Sequence, residues 1–442
     1  MKIALINLSS AEFKYTGNLE YPLGLLYLGA MVKKDHDVFI LDFPCNSLSE
    51  RINIMTRLEQ ISPDVVGIST TLDITLHSTK VIAREVRKTF PEAIIMLGGI
   101  TAFFLKDALI KEPYVDIIVL REGDLTFKEC IEYLDTGKDL GDVKGILFKK
   151  DGKILETPPA GLIEDLDSLP FPDFDLMNEK IKANLPISSS RGCGMGCIYC
   201  ASTAFWGKWR PRSAENVIKE IETLGNKYGV DKIHFVDENF AFNPRRVREL
   251  CQLIEKKKLN LLWGGSARPE LLNKELLQIM RQAGCLGIFI GAESGSERML
   301  KKIKRNYTPE KIEEIVNDCI SVGIIPTTSF IIGLPGEKRE DVELTFQLMK
   351  NLNTFNLELS MLYPLYGTPI YNHPKAFGLT FLEERKNMDE PNMMKSVIET
   401  ENFSTHELES LYYKGLGIIK RKTHNKGVFL KKILKEDTYV FQ

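Results

Sequence analysis

The stretch PISSSRGCGMGCIYCAS, residues 186–202, joins a short strand-like segment to three of the chain's eight cysteines. Three residues separate Cys193 from Cys197, and two separate Cys197 from Cys200. Structural zinc sites use four nitrogen or sulfur ligands, usually in two separated pairs, and no second pair follows. A thioredoxin-like motif has only two cysteines. The spacing therefore favours an iron–sulfur cluster held by three thiolates, with one iron left open to a substrate or cofactor.

The sequence after residue 186 alternates between apolar strand-like segments and amphipathic helices. The segments predicted as strands are PISSS, KIHFVDE, LLWGGSAR, LGIFIGAES, PTTSFIIGLPG and NLELSMLYPLYGT. A full eightfold barrel needs about 250 residues, which is more than this region has. We therefore expect an open, partial (β/α)6 barrel over 187–369, with its site at the carboxyl ends of the strands.

Residues 1–135 show the same alternation and predict a doubly wound, Rossmann-like parallel sheet. Ligands of such sheets bind at the carboxyl ends of the strands, and these ends are polar or rich in glycine here. Ordinary strand-to-helix turns would look similar. Residues 136–186 predict a linker with a small hairpin at Asp151-Gly152. Residues 370–442 predict a short helical C-terminal segment with a basic stretch, which fits a solvated helix face.

Composition narrows the class of protein. A formal net charge of −2 gives no reason to expect nucleic acid or an anionic membrane as a partner. No apolar run reaches the roughly 18 residues of a membrane span, and the N-terminus lacks the features of a signal peptide. We expect a cytoplasmic protein with reduced cysteines. The five cysteines outside the loop are interpreted as small buried side chains: Cys45, Cys130, Cys251, Cys285 and Cys319.

The cysteine triplet after the first barrel strand resembles the radical S-adenosylmethionine (SAM) superfamily. The resemblance implies a [4Fe–4S] cluster on Cys193, Cys197 and Cys200, whose open iron binds SAM and whose electron cleaves SAM to a 5′-deoxyadenosyl radical. The motifs HFVDENF, GGSARPE, GAESGSE and FIIGLPGE end the next four strands and resemble the SAM-binding positions. The SAM-binding residues that the resemblance implies are Tyr199, Asp237, Glu238, Ser266, Arg268, Glu293, Ser294, Gly333 and Pro335. Each of them, taken alone, also fits a cap, a turn or a surface ion pair.

The N-terminal domain resembles the cobalamin-binding domain that precedes the barrel in one subgroup of this superfamily. The motifs are YPLGLLYLGA (21–30), PDVVGIST (63–70), GGI (98–100) and REGDLTF (121–127). The resemblance implies cobalamin contacts at Ser69, Thr70, Gly98, Gly99, Glu122 and Gly123. The Asp-x-His-x-x-Gly motif of other cobalamin domains is absent from residues 1–150, so base-off cobalamin without a histidine ligand is expected. A domain that keeps the fold without the cofactor is the alternative.

The resemblance implies an enzyme that methylates an unactivated carbon of a small-molecule, lipid or peptide substrate, with flavodoxin or ferredoxin as electron donor. Oxidative cyclisation or rearrangement with the same cofactors is an alternative. A non-catalytic iron–sulfur or cobalamin-binding sensor is another, although it would not need the SAM motifs. Methylthio transfer to RNA is disfavoured, because the remaining cysteines are scattered and the C-terminal segment is short.

Overall fold

The computed structural model of the 442-residue chain describes residues 1–9, 21–44, 48–71, 75–177, 181, 184–382 and 394–423. The chain forms two compact units, Met1–Lys182 and Ala183–Gln442. Cys45 and the end of the C-terminal basic stretch lie outside the described residues. The predicted domain limits at residues 135, 186 and 369 stay predictions.

The first unit is built on a seven-stranded sheet. Its strands are β1 (Lys2–Ser9), β2 (Asp37–Pro44), β3 (Val65–Ser69), β4 (Ile94–Gly98), β5 (Ile117–Val119), β6 (Ile146–Lys150) and β7 (Lys153–Glu156). They lie in the order β2-β1-β3-β4-β5-β6-β7, and β1 to β5 run parallel. Because the strand order reverses between β1 and β3, a topological switch point lies at their carboxyl ends. This confirms the predicted Rossmann-like sheet.

Helices follow each of the parallel strands of this unit. They are α1 (Leu23–Val32), α2 (Leu48–Ile61), α3 (Leu76–Thr89), α4 (Ile100–Phe104), α5 (Lys106–Leu109) and α6 (Gly123–Thr136). Fully buried aliphatic side chains of the central strands form the core, including Ile6, Val66 and Ile95. Burial on both faces explains why these strands are continuously apolar in the sequence.

The hairpin predicted at Asp151-Gly152 is present and extends the first sheet. Strand β6 pairs antiparallel with β5 on one side and with β7 on the other. Asp151 and Gly152 have φ of 50° and 74°, as the two central residues of a tight hairpin turn require. The hairpin therefore belongs to the first unit.

The second unit is built on a six-stranded, fully parallel sheet. Its strands are β8 (Asn184–Ile187), β11 (Lys232–Phe235), β12 (Leu262–Ala267), β13 (Cys285–Glu293), β14 (Ile325–Ile332) and β15 (Asn356–Met361). They follow one another in chain order, and β8 and β15 are the edges of the described sheet. This confirms the predicted open, partial barrel. Residues 192–201, which contain Cys193, Cys197 and Cys200, form the cysteine loop. A separate short ladder precedes and follows it, in which β9 (Ser190–Arg191) pairs with β10 (Arg210–Pro211).

The helices of the second unit begin and end at residues suited to those positions. They are α7 (Ser202–Trp206), α8 (Ala214–Tyr228), α9 (Pro244–Lys256), α10 (Lys274–Gln282), α11 (Glu297–Lys302), α12 (Pro309–Val322), α13 (Arg339–Asn351) and α14 (Pro369–Asn372). Ser213 caps α8 by accepting a hydrogen bond from the Asn216 backbone N–H, and Thr308 caps α12 in the same way. Gly229 ends α8 in the left-handed conformation that favours glycine.

The C-terminal segment contains a helix, as predicted, and also a small strand pair. Strands β16 (Leu379–Phe381) and β17 (Ile398–Thr400) pair antiparallel, and helix α15 (Thr405–Thr423) follows. Gly415 lets α15 approach β15 closely, since a Cβ atom there would lie 2.1 Å from Leu359 Cδ2. Within the described part of the chain, no helix combines the length and the apolar character needed to cross a bilayer.

Candidate active site

The cysteine loop leaves the barrel sheet at the carboxyl end of β8. Cys193, Cys197 and Cys200 are all free thiols and partly exposed. Burial raises the pKa of the Cys193 thiol, and it raises the pKa of Cys200 to about 11. The loop turns sharply at Gly192 (φ 84°), where a Cβ atom would lie 2.4 Å from the Lys208 carbonyl oxygen. Only glycine fits this conformation and this close approach.

Asp237 fixes the segment that enters the cysteine loop. Its buried carboxylate accepts hydrogen bonds from the Ser189 backbone N–H at 3.1 Å and the Ser189 hydroxyl at 2.9 Å, and from the Ser190 hydroxyl. Arg246 donates to the Ser189 carbonyl at 2.8 Å and to the Arg212 carbonyl at 3.0 Å. Arg212 in turn pairs with the fully buried Glu220. The predicted SAM residue Asp237 therefore forms hydrogen bonds with the segment that enters the cysteine loop.

Glu238 and Ser266 contribute to the same edge of the sheet. The Glu238 carboxylate accepts a hydrogen bond from the Gly192 backbone N–H at 3.1 Å, and burial raises its pKa. The Ser266 hydroxyl donates to the Asp237 carbonyl at 2.7 Å. Glu238 therefore contacts the cysteine loop directly, and Ser266 contacts Asp237, which holds the segment that enters the loop.

Asn239 follows these two acidic residues and is 1% exposed. Among the residues that the structure describes, neither the oxygen nor the nitrogen of its side-chain amide has a hydrogen-bond partner. A buried amide without partners costs about 1–3 kcal/mol, so such groups usually serve a ligand or an ordered water. The sequence motif places Asn239 directly after Asp237 and Glu238, and the structure adds that its buried amide has no hydrogen-bond partner among the described residues.

Arg268 reaches the cysteine loop from the end of β12. Its Nη1 donates to Cys197 Sγ at 3.6 Å. Its Nε and Nη2 both contact Glu270 Oε1, at 2.7 and 2.5 Å. The predicted SAM-binding residue Arg268 is therefore adjacent to the predicted cluster ligand Cys197.

Glu293, Tyr199 and Arg305 form a second connection to the loop. Glu293 pairs with Arg305, and Arg305 Nη2 donates to the Tyr199 hydroxyl oxygen at 2.7 Å. The β13–β14 register shifts between Gly291 and Glu293, and Glu293 has φ 62°. Such a conformation in a non-glycine residue costs about 1–3 kcal/mol and is often found at functional sites. Arg305 is not among the residues predicted from the sequence, because it lies after α11 and outside the strand-end motifs.

Ser294 and the Gly333–Gly336 turn occupy the ends of β13 and β14. The Ser294 hydroxyl lies 3.2 Å from Thr345 Oγ1 and accepts a hydrogen bond from the Ser296 backbone N–H. The turn containing Gly333 and Pro335 is held by Glu337, whose Oε2 accepts the backbone N–H groups of Gly333 at 2.6 Å and Leu334 at 3.2 Å. This role of Glu337 is not among those predicted from the sequence.

In the first unit, the predicted cobalamin residues of β3 and β4 lie side by side. Ser69 is paired with Gly98 in the sheet, and the Thr70 backbone N–H donates to the Gly98 carbonyl at 2.7 Å. Gly99 has φ 99°, and a Cβ atom there would lie 2.7 Å from the Thr70 carbonyl oxygen. The hydroxyls of Ser69 and Thr71 are 3.1 Å apart. These strand ends form a small-residue cradle with exposed hydroxyls.

Glu122 and Gly123 stand at the start of α6, after β5. Glu122 is buried, and its Oε2 accepts the Ile163 backbone N–H at 2.9 Å. The structure thus shows Glu122 holding the segment after the hairpin. The predicted role of Glu122 toward cobalamin stays a prediction.

The residues present suit the cofactors that the sequence predicts. Three soft thiols on a glycine-rich loop are the donor set of an iron–sulfur cluster with one open iron. No three His, Cys, Asp or Glu side chains in the described ranges converge as they would on a single metal ion. A cluster binds each thiolate through a different iron and so spreads its ligands more widely. The partnerless Asn239 amide and the Gly99 cradle suit bound organic cofactors.

Comparison with known proteins identifies the family. The radical SAM superfamily model matches residues 187–349, and the B12 binding domain model matches residues 14–131. An uncharacterized methyltransferase of Pyrococcus horikoshii is 31% identical over 423 residues, which cover 94% of this chain and 91% of the relative. The chain therefore belongs to the radical SAM superfamily, among the members that carry a B12-binding domain.

Two further proteins extend the comparison. The anaerobic magnesium-protoporphyrin IX monomethyl ester cyclase of Rubrivivax gelatinosus is 29% identical over 78% of this chain and 65% of its own length. A radical SAM methyltransferase from Kitasatospora setae, solved with cobalamin and a [4Fe–4S] cluster bound, superposes with a TM-score of 0.72 at 16% identity. That match covers 95% of this chain and 88% of the other, and it shows a shared fold.

Proposed function

We propose that this radical SAM enzyme is a cobalamin-dependent methyltransferase acting on an unactivated carbon of a small-molecule, lipid or peptide substrate. When bound, the [4Fe–4S] cluster supplies the electron that cleaves SAM to a 5′-deoxyadenosyl radical, and cobalamin supplies the methyl group. Cys193, Cys197 and Cys200 would hold the cluster. A one-electron donor such as flavodoxin or ferredoxin would reduce it.

The observation that carries this proposal is the sequence similarity of both domains to one methyltransferase relative. Similarity to the Pyrococcus horikoshii methyltransferase extends over 94% of this chain and therefore spans the B12-binding and radical SAM regions together. A relative matching the barrel alone would say nothing about methyl transfer. The base-off state of cobalamin, without a histidine ligand, is part of the proposal.

The chain's own residues would bind and orient SAM around the cysteine loop. Glu293 would accept hydrogen bonds from the ribose hydroxyls, and Arg305, which also donates to the Tyr199 hydroxyl, would fix its carboxylate. Asn239 would bond the polar end of SAM with its buried amide. The turn at Gly333 would offer backbone and apolar contacts to the adenine. Preorganised partners of this kind reduce the entropy lost when a reactive complex is assembled.

In the first unit, the corrinoid would lie at the strand ends near the β1/β3 switch point. Ser69 and Thr71 would supply hydroxyls, and Gly98 and Gly99 would let the cofactor approach the backbone. The position agrees with the general rule for open parallel sheets.

Radical-based oxidative cyclisation is the second candidate function. The cyclase of Rubrivivax gelatinosus resembles this chain over 365 residues at an identity close to that of the methyltransferase relative. Both reactions would use the same cofactor-binding residues. The two reactions are therefore distinguished by the products formed from SAM.

The test is to incubate anaerobically reconstituted protein with SAM, hydroxocobalamin and a strong one-electron reductant, and to measure 5′-deoxyadenosine and S-adenosylhomocysteine. Formation of both products supports the methyltransferase, because the second product records loss of the SAM methyl group. Formation of 5′-deoxyadenosine alone favours the cyclase. Absence of 5′-deoxyadenosine contradicts the proposed chemistry.

Two cysteine variants make the test specific to the loop. Cys197→Ala should abolish 5′-deoxyadenosine formation. Cys251→Ala removes a buried thiol of the same unit, whose pKa burial raises to about 12, and should retain it. Equal loss in both variants would indicate damage to the fold.

A further inference from the structure

The Arg268 guanidinium contacts an acidic side chain and a thiol of the cysteine loop at the same time. Arg268 is 5% exposed and stands between the end of β12 and Pro269. Its Nε and Nη2 converge on Glu270 Oε1, and its carbon Cζ lies 6.0 Å from the centroid of the Tyr307 ring. The ion pair and the ring restrict the orientation of the guanidinium, which leaves Nη1 directed at the loop.

The remaining donor, Nη1, lies 3.6 Å from Cys197 Sγ. This distance is within reach of a hydrogen bond to sulfur, which is longer than one to oxygen. A thiolate that ligates iron carries more negative charge than the free thiol, so an arginine N–H would bond it more strongly.

We propose that Arg268 tunes the reduction potential of the cluster by donating a hydrogen bond to its ligand Cys197, an inference that rests on the proposed function. Hydrogen bonds to the sulfurs and the local charge set the potentials of iron–sulfur clusters. Reduction adds one negative charge to the cluster, and a cationic donor stabilises the reduced form more than the oxidised form. Arg268 therefore raises the potential and makes the cluster easier to reduce.

Glu270 opposes this effect. Its Oε1 accepts two of the Arg268 donors, and in the described residues its Oε2 is buried without a hydrogen-bond partner. The negative charge of Glu270 partly neutralises Arg268. The two residues should therefore have opposite effects on the potential, which a merely structural pair would not show.

The test is a redox titration of the reconstituted protein without SAM, followed by electron paramagnetic resonance of the reduced cluster. Arg268→Gln should keep the iron content and shift the midpoint potential to more negative values. Arg268→Lys keeps the charge and should shift it less. Glu270→Gln should shift it to more positive values. Arg248→Gln removes a positive charge from an ion pair at the surface and should leave the potential unchanged.

An unchanged potential in a cluster-bearing Arg268→Gln variant overturns the inference. If Arg268→Gln fails to retain the cluster, Glu270→Gln decides: a positive shift supports the inference, and no shift or a negative one overturns it. If the wild-type protein takes up no cluster, the proposed function fails as well. An unchanged potential in a protein that holds its cluster refutes only the role of Arg268.

Discussion

The Glu337 carboxyl should make the stability of the second unit depend on pH. Glu337 is 0% exposed, and its Oε1 is buried without a hydrogen-bond partner among the described residues. Burial, aided by the nearby charge of Asp341, raises the pKa of Glu337 from 4.5 to about 8, although the backbone N–H groups of Gly333 and Leu334 act in the opposite direction. The folded protein therefore binds this proton more tightly than the unfolded chain does.

The sign and size of the effect follow from this shift. Stability contributed by the protonated carboxyl is complete below the unfolded pKa of 4.5 and is lost as the pH rises through about 8. One pKa unit corresponds to about 1.4 kcal/mol, so the loss between about pH 5 and pH 8 is about 3 to 4 kcal/mol. For a unit of this size, that loss lowers the thermal midpoint by roughly 10 °C.

The assay compares wild type with Glu337→Gln by thermal unfolding over this pH range, with both proteins prepared free of iron. Glutamine is neutral at every pH, so the difference between the two proteins isolates the carboxyl. The variant should gain stability relative to wild type as the pH rises. Glu340→Gln changes an exposed carboxyl nearby on α13 and should show no such trend. A pH-independent difference between Glu337→Gln and wild type would contradict a raised pKa of this carboxyl.

Three further substitutions test the site and its supports. Gly99→Ala should cost about 1–3 kcal/mol and reduce bound cobalt, because its Cβ atom would meet the Thr70 carbonyl oxygen at 2.7 Å. Arg212→Met should cost about 3–5 kcal/mol in unfolding experiments, because it leaves the buried Glu220 carboxylate unpaired. Arg305→Met should weaken SAM binding about tenfold in equilibrium dialysis, through loss of its charged hydrogen bonds.

Matched variants control these predictions. Gly137 also has positive φ, but there is open space for a Cβ atom, so Gly137→Ala should keep cobalt binding. Arg248→Met breaks an ion pair at the surface and should cost less than about 1 kcal/mol. Lys301→Met removes an exposed charge near Arg305 and should leave SAM affinity unchanged. Equal effects in a test variant and its control would contradict the corresponding explanation.

The arrangement of strands could be predicted from the sequence, because hydrophobic periodicity and loop length reflect local constraints. The six barrel strands follow the predicted order, and the Asp151-Gly152 hairpin forms where turn chemistry placed it. The pairing of this hairpin with β5 could not be predicted, since a contact between distant strands leaves no local pattern. The β16–β17 pair was missed for the same reason.

Within the site, the sequence motifs indicated which residues lie at the strand ends. They did not indicate the hydrogen-bond partners of each residue. Asp237 accepts three hydrogen bonds from Ser189 and Ser190, which lie almost fifty positions earlier in the chain. Arg305 joins Glu293 to Tyr199 only because a short helix and the cysteine loop meet in the fold. Such partners depend on tertiary structure, so spacing along the sequence carries no sign of them.

The proposed cofactors are tested most directly by a count of iron and cobalt per chain in anaerobically reconstituted wild type and Cys197→Ala. We expect about four irons and one cobalt per chain in the wild type, which is the content of one [4Fe–4S] cluster and one corrinoid. In Cys197→Ala we expect loss of iron with cobalt retained, because the residues proposed to bind the corrinoid lie in the other unit. Undiminished iron in Cys197→Ala, or a wild type that binds neither metal, would contradict the proposed cofactors.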